Sequence, residues 1–282
     1  MKPAPFAYAK ARSLDHALEA LAAHEGARVL AGGQSLIATL NMRLDAPKLL
    51  VDINGVGGLD GIATRNGKVE IGALVRHAAA LASPVVAQQA PLIAQALPHI
   101  GHPAIRNRGT VGGSIAFADP AAELPACLLA LAGEVEIAGA GGNRRTVAAD
   151  DFFTGLFETA LGAGEILTAI RVPAAKAEMR YGFAELARRR GDYAMVGLAA
   201  CARAEGPRLR DLRLVFFGVG STPIRARNAE AAFAADGIDA ASAALAAELD
   251  PPDNVQAGGK AKKHLAGVLL RRIALELSEP RS

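Results

Sequence analysis

The 282-residue chain contains no tryptophan, and aromatic side chains make up only 4% of it. This scarcity argues against a surface that stacks nucleic-acid bases on aromatic rings. Cys127 and Cys201 are the only cysteines, which excludes a disulfide framework and argues against a zinc site built on cysteine pairs or an iron–sulfur cluster held by this chain. Both stand among apolar residues, so we expect them to be reduced and buried in the core.

Charge of one sign and long apolar runs are lacking as well. The 31 Lys and Arg residues are nearly balanced by 28 Asp and Glu residues, whereas nucleic-acid binding requires basic residues clustered on one face. No apolar run approaches the roughly 18 residues that a membrane-spanning helix needs. Residues 1–12 lack the apolar core and cleavage site of a signal peptide. We therefore expect a cytoplasmic protein without a membrane span and without a nucleic-acid partner.

Apolar residues and glycine are abundant, at 51% of the chain and 30 residues respectively. The length suits two domains of roughly 150 residues each, and Pro173–Lys176 is the best candidate linker. Before it, helical patterns at 13–22, about 76–96 and 124–131 alternate with strand-like segments. After it, the pattern predicts strands near 179–187, 194–204 and 209–217, followed by helices near 225–234, 239–248 and 260–277. This order is typical of a sheet with helices.

Several common catalytic and nucleotide-binding motifs are missing. The chain has no G-x-x-x-x-G-K-S/T phosphate loop and no complete G-x-G-x-x-G dinucleotide fingerprint. It also lacks a nucleophile elbow around a serine and an H-E-x-x-H zinc helix. The histidines other than His102, which are His16, His24, His77, His99 and His264, show no metal-ligand spacing. We therefore predict no catalytic side chain and no metal site in this chain.

Two loops nevertheless carry paired glycines. Ala31–Leu36 follows a predicted strand at 28–31, and Thr110–Ser114 lies in a long glycine-rich stretch between Pro98 and Pro120. Adjacent glycines let several backbone N–H groups point at one anion without an intervening Cβ. Two such loops facing each other would grip the pyrophosphate of a dinucleotide, and a side chain at Gly32 or Gly113 would fill the phosphate's space. Each loop by itself is equally well explained as a tight turn.

The residues of these loops carry a family resemblance. Ala31–Leu36 (AGGQSL), Ile105–Ser114 (IRNRGTVGGS) and Ala118–Pro125 (ADPAAELP) resemble the flavin-binding segments of the FAD-binding medium subunits of molybdenum hydroxylases. That family includes carbon monoxide dehydrogenase and the xanthine dehydrogenases. Arg188–Ala194 resembles the start of the family's carboxy-terminal domain. The matches occur in family order across nearly the full chain.

The resemblance implies a set of FAD-binding residues. The first loop would wrap the pyrophosphate from one side and the second would close over it. Glu123 would accept from ribose or adenine groups, Leu167 would pack near the adenine, and Tyr193 would gate the face of the flavin ring. His102 would either hydrogen-bond the flavin or stabilise its own loop. The predicted cofactor-binding residues are Val29, Leu30, Ala31, Gly32, Gly33, Gln34, Ser35, Leu36, His102, Thr110, Val111, Gly112, Gly113, Ser114, Glu123, Leu167 and Tyr193.

One departure from the family concerns charge near the flavin. Several relatives carry a lysine just after the aromatic residue of the strand that begins near Tyr181, whereas this chain has Phe183-Ala184-Glu185. Electrostatic tuning of the flavin by that lysine is therefore in doubt.

The resemblance also implies the fold, which is α+β. A two-part FAD-binding domain of the PCMH type would occupy residues 1–175, with subdomains of about 1–55 and 56–175. A smaller flavoprotein domain, with a three-stranded antiparallel sheet and a helical bundle, would occupy residues 176–282.

The function implied is electron transfer. FAD in this chain would receive electrons from 2Fe–2S clusters of a small partner subunit, which takes them from the molybdenum cofactor of a large subunit, and would pass them to an external electron acceptor. The assembly would be a dimer of heterotrimers. Two other readings of the residues stay open: a self-contained FAD-dependent oxidoreductase acting on its own small substrate, and a scaffold protein whose glycine loops are only turns.

Overall fold

The structure is a computed structural model, and it describes residues 2–206 and 208–279. Its strands are β1 Ala7–Lys10, β2 Arg28–Leu30, β3 Leu49–Asp52, β4 Ile62–Arg65, β5 Lys68–Gly72, β6 Glu134–Ala138, β7 Arg144–Ala148, β8 Phe153–Gly155, β9 Glu158–Thr159, β10 Ile166–Pro173, β11 Met179–Leu186, β12 Val196–Glu205, β13 Arg208–Phe217 and β14 Ile224–Arg225. Its α-helices are α1 Leu14–Ala23, α2 Leu36–Asn41, α3 His77–Ala82, α4 Pro84–Gln89, α5 Pro91–Ala96, α6 Pro103–Arg106, α7 Val111–Phe117, α8 Glu123–Ala130, α9 Ala149–Phe152, α10 Arg227–Asp236, α11 Ile238–Glu248 and α12 Gly259–Ser278.

The first sheet is small and parallel, with the order β1-β3-β2. Helix α1 packs on β3, and it begins at Ser13, whose hydroxyl accepts a hydrogen bond from the His16 backbone N–H at 3.1 Å. Such a cap satisfies one of the free N–H groups at a helix start. Strand β2 ends at Leu30 and the chain runs directly into the first glycine loop, which therefore leaves the sheet at the carboxyl edge of β2.

The second sheet is antiparallel, with the order β4-β5-β10-β6-β7. Its residues alternate between an apolar face and a charged face, as expected for a sheet that is covered on one side. Val69, Ile71 and Ile170 point into the core. On the other face Arg171 pairs with Glu70 at 2.7 Å and also with Glu136. The apolar face supports α7, which begins at the second glycine loop.

The helical region predicted for 76–96 is a series of three short helices, α3, α4 and α5. Pro84 and Pro91 occupy the first positions of α4 and α5. Proline is favoured there because it has no N–H to lose, but it cannot continue a preceding helix. The periodicity is therefore helical throughout, while the two prolines divide it.

The third sheet is antiparallel and apolar on both faces, with the order β11-β12-β13-β14. Leu198 and Phe216 face the carboxy-terminal helices α10–α12. Ala199 and Phe217 face the opposite way, into the core that contains α5 and α8. Because both faces are covered, the sheet joins the carboxy-terminal helices to the amino-terminal two thirds of the chain.

This sheet has one strand more than the three that the sequence predicts. The fourth, β14, pairs with the edge of β13. Arg225 of β14 forms an ion pair of 2.8 Å with Glu230, and the Leu214 backbone N–H of β13 donates to the same carboxylate at 2.8 Å. A two-residue strand is too short to produce an alternating pattern, so it is held by these long-range contacts and could not be predicted locally.

Cys127 and Cys201 are free and buried, as the sequence predicts. The Cys201 thiol lies 3.2 Å from the carbonyl oxygen of Ala130. Within residues 2–206 and 208–279, no helix is both long and apolar enough to cross a membrane.

Two glycine substitutions test the packing of the third sheet with opposite expected signs. A Cβ at Gly197 would overlap the ring of Phe217, its cross-strand partner. Gly267 lies within α12, and no heavy atom lies within 4 Å of the place that a Cβ would occupy there. We expect Gly197→Ala to destabilise the fold by about 1–3 kcal/mol through overpacking, and Gly267→Ala to stabilise it by about 1 kcal/mol through helix propensity. Urea denaturation of the full chain measures both, and equal effects would contradict this packing.

Candidate cofactor-binding cleft

A cleft of about 1210 Å³ lies between the two glycine loops. Its walls also include the segment 157–167, which joins β8 to β10, and residues 191–193 before β12. Ligand pockets for drug-sized molecules typically have volumes of about 300–1,000 Å³, so this cleft has room for a larger ligand such as a dinucleotide. The four groups of wall residues come from separate parts of the chain.

The first loop presents unpaired backbone donors to the cleft. Among the residues that the structure describes, the N–H groups of Gly32, Gly33, Gln34 and Ser35 donate to no other group of the chain. Gly33 has a φ of 72°, a left-handed conformation that glycine adopts without strain. Several adjacent free N–H groups at a glycine turn form a site that suits an anion.

The second loop uses its N–H groups differently from the sequence-based expectation. The Val111 N–H donates to the Val75 carbonyl at 2.9 Å, and the Gly112 N–H donates to the Ala73 carbonyl at 3.0 Å. The Gly113 N–H donates to the Thr110 hydroxyl at 3.0 Å. These donors therefore hold the loop onto the residues that follow β5. What the loop offers to the cleft is its close-packed glycine surface and the Ser114 side chain.

The glycines serve mainly to let backbone segments approach one another. A Cβ at Gly32 would overlap the carbonyl oxygen of Arg108 and lie 2.8 Å from the Cα of Gly109. A Cβ at Gly112 would lie 2.6 Å from the Cα of Ala73. The sequence suggests that a side chain at Gly32 would fill the phosphate's space, whereas in the structure it would clash with the backbone of Arg108 and Gly109. The first loop packs directly on the segment that leads into the second, and only glycine permits that contact.

Polar side chains lock the two loops in this arrangement. Asn54 donates to the Ala31 carbonyl at 2.8 Å. Arg76 donates to the Asn54 side-chain oxygen at 2.6 Å and also to the Arg108 carbonyl. One chain of hydrogen bonds thus runs from the first loop through Asn54 and Arg76 to the second. It also places the Arg76 guanidinium near the cleft, although Arg76 forms no ion pair with a carboxylate within the described residues.

Glu123 lies at the first position of α8 and lines the cleft with 9% of its surface exposed. Burial, followed by the nearby charge of Glu185, raises the pKa of Glu123 to about 8. The carboxyl group is therefore mostly protonated at pH 7. It can donate a hydrogen bond to a ligand as well as accept one, which differs from the purely accepting role that the family resemblance implies.

Tyr193 and His102 lie together at the mouth of the cleft. Tyr193 is 57% exposed. Its pKa is raised first by partial desolvation and then by the negative charges of Asp119 and Glu123. His102 is exposed at the start of α6. The neighbouring backbone is tightly packed, because a Cβ at Gly191 would lie 2.7 Å from the Gly101 carbonyl oxygen.

Part of the cleft wall is apolar. Leu167 of β10 lines the cleft and is 4% exposed. Phe117 and Phe157 also line the cleft, with their ring centres 5.2 Å apart in an edge-to-face arrangement. Phe157 has a φ of 57°, which is unusual for a residue other than glycine. These apolar side chains suit a flat, largely apolar group.

Fifteen of the predicted residues come together in the cleft wall, and two do not. The cleft is lined by Val29, Ala31, Gly32, Gly33, Gln34, Ser35, Leu36, His102, Thr110, Gly112, Gly113, Ser114, Glu123, Leu167 and Tyr193. Leu30 belongs to β2, where its carbonyl accepts from the Ile53 N–H at 3.0 Å. Val111 is fully buried in the core. Both therefore serve the fold at the base of each loop.

Sequence reasoning overlooked several residues that also line the cleft, notably His77, Gly109, Phe117 and Phe157. The only local signal for them is the position of Gly109 just before the second loop. His77 is brought to the cleft by the turn after β5. Its ring nitrogens have no hydrogen-bond partner within the described chain.

The cleft fits a dinucleotide cofactor on three observations. The unpaired N–H groups of the first loop suit a pyrophosphate. The buried His77 ring forms no hydrogen bond of good geometry within the described chain, and the apolar side chains of the wall suit a ring system. FAD combines these features, since it carries a pyrophosphate between two aromatic ring systems.

Comparison with known proteins finds relatives along nearly the whole chain. The family described as the FAD binding domain in molybdopterin dehydrogenase matches residues 4–175. The CO dehydrogenase flavoprotein C-terminal domain matches residues 181–277. The nicotine 6-hydroxylase medium subunit of Paenarthrobacter nicotinovorans is 36% identical over 281 residues, with 98% of each chain covered.

Solved structures are similar over the whole chain as well. Carbon monoxide dehydrogenase from Hydrogenophaga pseudoflava, in a form that lacks the Mo-pyranopterin moiety of its cofactor, superimposes with a TM-score of 0.94 at 35% identity, covering 99% of this chain and 98% of that chain. Quinoline 2-oxidoreductase from Pseudomonas putida 86 gives a TM-score of 0.92 at 34% identity, with 99% and 98% covered.

The contact between the loops predicts the effect of a single methyl group. Gly32→Ala would push the first loop away from Arg108 and Gly109, and an overpacking cost of about 1–3 kcal/mol should weaken FAD binding by roughly 10- to 100-fold. Gly61→Ala is the matched control, because nothing lies within 4 Å of a Cβ at that position. Quenching of FAD fluorescence measures the dissociation constants, and circular dichroism checks the fold. Equal affinities in the two variants would contradict the loop contact.

The raised pKa of Glu123 predicts a pH-dependent stability. Between its ordinary pKa of 4.5 and the folded value of about 8, the unfolded chain releases a proton that the folded chain keeps. The free energy of unfolding therefore falls as the pH rises through this range, by about 1.4 kcal/mol per unit of pKa difference at most. Glu123→Gln removes this contribution.

Urea denaturation of the cofactor-free chain tests this at a series of pH values. The difference in free energy of unfolding between Glu123→Gln and wild type should be constant below about pH 4.5. Between about pH 4.5 and 8 the variant should become progressively more stable relative to wild type, and above this range the difference should again be constant. Parallel stability curves over this range would show that the carboxyl group is not protonated in the folded chain.

Proposed function

Because this chain belongs to the family of FAD-binding medium subunits of molybdenum hydroxylases such as carbon monoxide dehydrogenase, we propose that it carries electrons through FAD from partner subunits to an external acceptor. The chain contains an FAD-binding domain and is an oxidoreductase subunit. The single observation that carries the proposal is the row of unpaired N–H groups in the first loop, which lines a cleft of dinucleotide size together with the second loop.

The residues of this chain act by binding and orienting the cofactor. FAD, when bound, supplies the redox chemistry, and the protein contributes position and electrostatics. The N–H groups of Gly32–Ser35 would hold the pyrophosphate, with the Ser114 side chain as a further polar group from the second loop. The protonated carboxyl of Glu123 would donate a hydrogen bond to the cofactor. The half-exposed Tyr193 would limit access of water to the flavin ring.

The proposed source of electrons lies outside this chain. Two buried cysteines cannot ligate an iron–sulfur cluster, so the 2Fe–2S clusters belong to a small subunit and the molybdenum cofactor to a large one. Relatives named as medium subunits or medium chains support this distribution of cofactors among subunits. A dimer of heterotrimers in the cytoplasm is the assembly that we propose. We also propose the division into an FAD-binding domain of residues 1–175 and a carboxy-terminal domain of residues 176–282.

Affinity purification tests this function. The tagged full chain, isolated from cells that express its complex, should carry about one FAD per chain with flavin absorption near 370 and 450 nm, since the cofactor brings its own chromophore. Molybdenum and iron should copurify with it. The isolated full chain should bind FAD yet show no turnover of small organic donors.

Two outcomes would contradict the proposal. A chain that stays colourless and fails to take up added FAD would exclude a flavoprotein. A chain that binds FAD, brings down neither metal and oxidises small donors alone would instead be the self-contained oxidoreductase.

A further inference from the structure

His77 is a buried imidazole at the floor of the cleft. It is 5% exposed, and neither Nδ1 nor Nε2 forms a hydrogen bond of good geometry within the described residues, although the Thr110 backbone lies near the ring. A neutral imidazole always has one N–H donor and one nitrogen acceptor. Buried polar groups in folded proteins are nearly always paired. The unpaired ring therefore points to a partner that binds in the cleft.

The position of the ring is fixed by the second glycine loop. The His77 backbone N–H donates to the Gly109 carbonyl at 3.0 Å. A Cβ at Gly109 would lie 3.0 Å from Nδ1 and 3.1 Å from Cε1 of His77. The imidazole thus packs against the backbone of Gly109, next to the loop residue Thr110. Gly109 is needed here for the close approach, just as Gly32 is needed on the other side of the same segment.

The electrostatic surroundings of His77 favour an anionic partner. Burial lowers the pKa of His77 to about 4. A weak hydrogen-bond interaction with the Thr110 backbone opposes this shift, and the positive charges of Arg106 and Arg76 add to it. Both guanidinium groups hydrogen-bond to carbonyl or amide oxygens, and neither forms an ion pair within the described chain. The ring is therefore neutral at pH 7 and lies near two guanidinium groups, of which Arg76 is also near the negative charge of Asp52.

We propose that His77 binds FAD directly, by donating the hydrogen bond of its imidazole N–H to a phosphate oxygen held between the two glycine loops. The inference rests on the proposed function, since it requires FAD in this cleft. A phosphate oxygen accepts from the ring, and its negative charge offsets the nearby guanidinium groups. The N–H groups of Val111–Ser114 in the second loop are used within the fold, so this loop contributes to phosphate binding through the side chain that it holds in place.

Removing the N–H donor should have opposite effects on binding and on stability. Because a hydrogen bond to a charged group contributes strongly to binding free energy, His77→Leu should weaken FAD binding about 10- to 100-fold. The cofactor-free variant should melt at the same temperature as wild type or higher, because the unpaired buried polar group is gone. His77→Gln keeps a donor and should bind FAD within a few-fold of wild type.

The test uses the full cofactor-free chain, with FAD and ADP as probes. ADP carries the pyrophosphate without the flavin, so His77→Leu should lose affinity for both by a similar factor. His264→Leu on the exposed side of α12 is the matched control and should bind like wild type. As a measurement on wild type, FAD should shift the ring nitrogen resonances of His77 in histidine labelled with nitrogen-15, which keeps the test valid if His77→Leu does not fold.

The outcomes separate this inference from the proposed function. A wild-type chain that binds no FAD would overturn both. Wild-type binding with unchanged affinity in His77→Leu, or with unmoved His77 resonances, would overturn only the role of His77. Weaker FAD binding with unchanged ADP binding would place the contact on the flavin and contradict the phosphate assignment. A lower melting temperature with unchanged FAD affinity would show a purely structural role.

Discussion

The cleft depends on one close contact, in which Gly32 lies directly against the backbone of Arg108 and Gly109. Because no Cβ intervenes, the loop after β2 and the loop before α7 form a single wall. Arg76 and Asn54 fix their relative position by hydrogen bonds to both sides. The unpaired N–H groups of the first loop are thereby held in a fixed position relative to the second loop. A binding site for an anion benefits from such preorganisation.

The third sheet extends this wall to the mouth of the cleft. Its inner face packs against α8, which carries Glu123 at its first position. The Gly218 N–H at the end of β13 donates to the Pro120 carbonyl at 2.8 Å, and Gly191 packs against Gly101. The packing of this sheet therefore has a functional consequence: it brings Tyr193 to the cleft that Glu123 also lines. The carboxy-terminal part of the chain completes a site whose phosphate-binding loops lie in the amino-terminal part.

Local patterns in the sequence were enough to predict most helices and strands and to locate both glycine loops, because strand alternation, helix periodicity and paired glycines are short-range signals. They could not reveal why Gly32 must be glycine, since its neighbour Arg108 is distant along the chain. The same limit applies to β14, which is held by Arg225 and Glu230, and to the N–H groups of the second loop, which bond to Ala73 and Val75. His77 was passed over because a lone histidine has no pattern, and only the fold shows that its ring is buried without partners.

The most direct test of this account is an experimental structure of the full chain or its complex with FAD bound. The account predicts that the pyrophosphate lies between Gly32–Ser35 and Thr110–Ser114, within hydrogen-bond distance of the first loop's N–H groups and of the His77 ring. The flavin ring should extend toward Tyr193. A pyrophosphate located outside the two loops, with the N–H groups of the first loop facing only water, would contradict the central claim that these loops form the cofactor site.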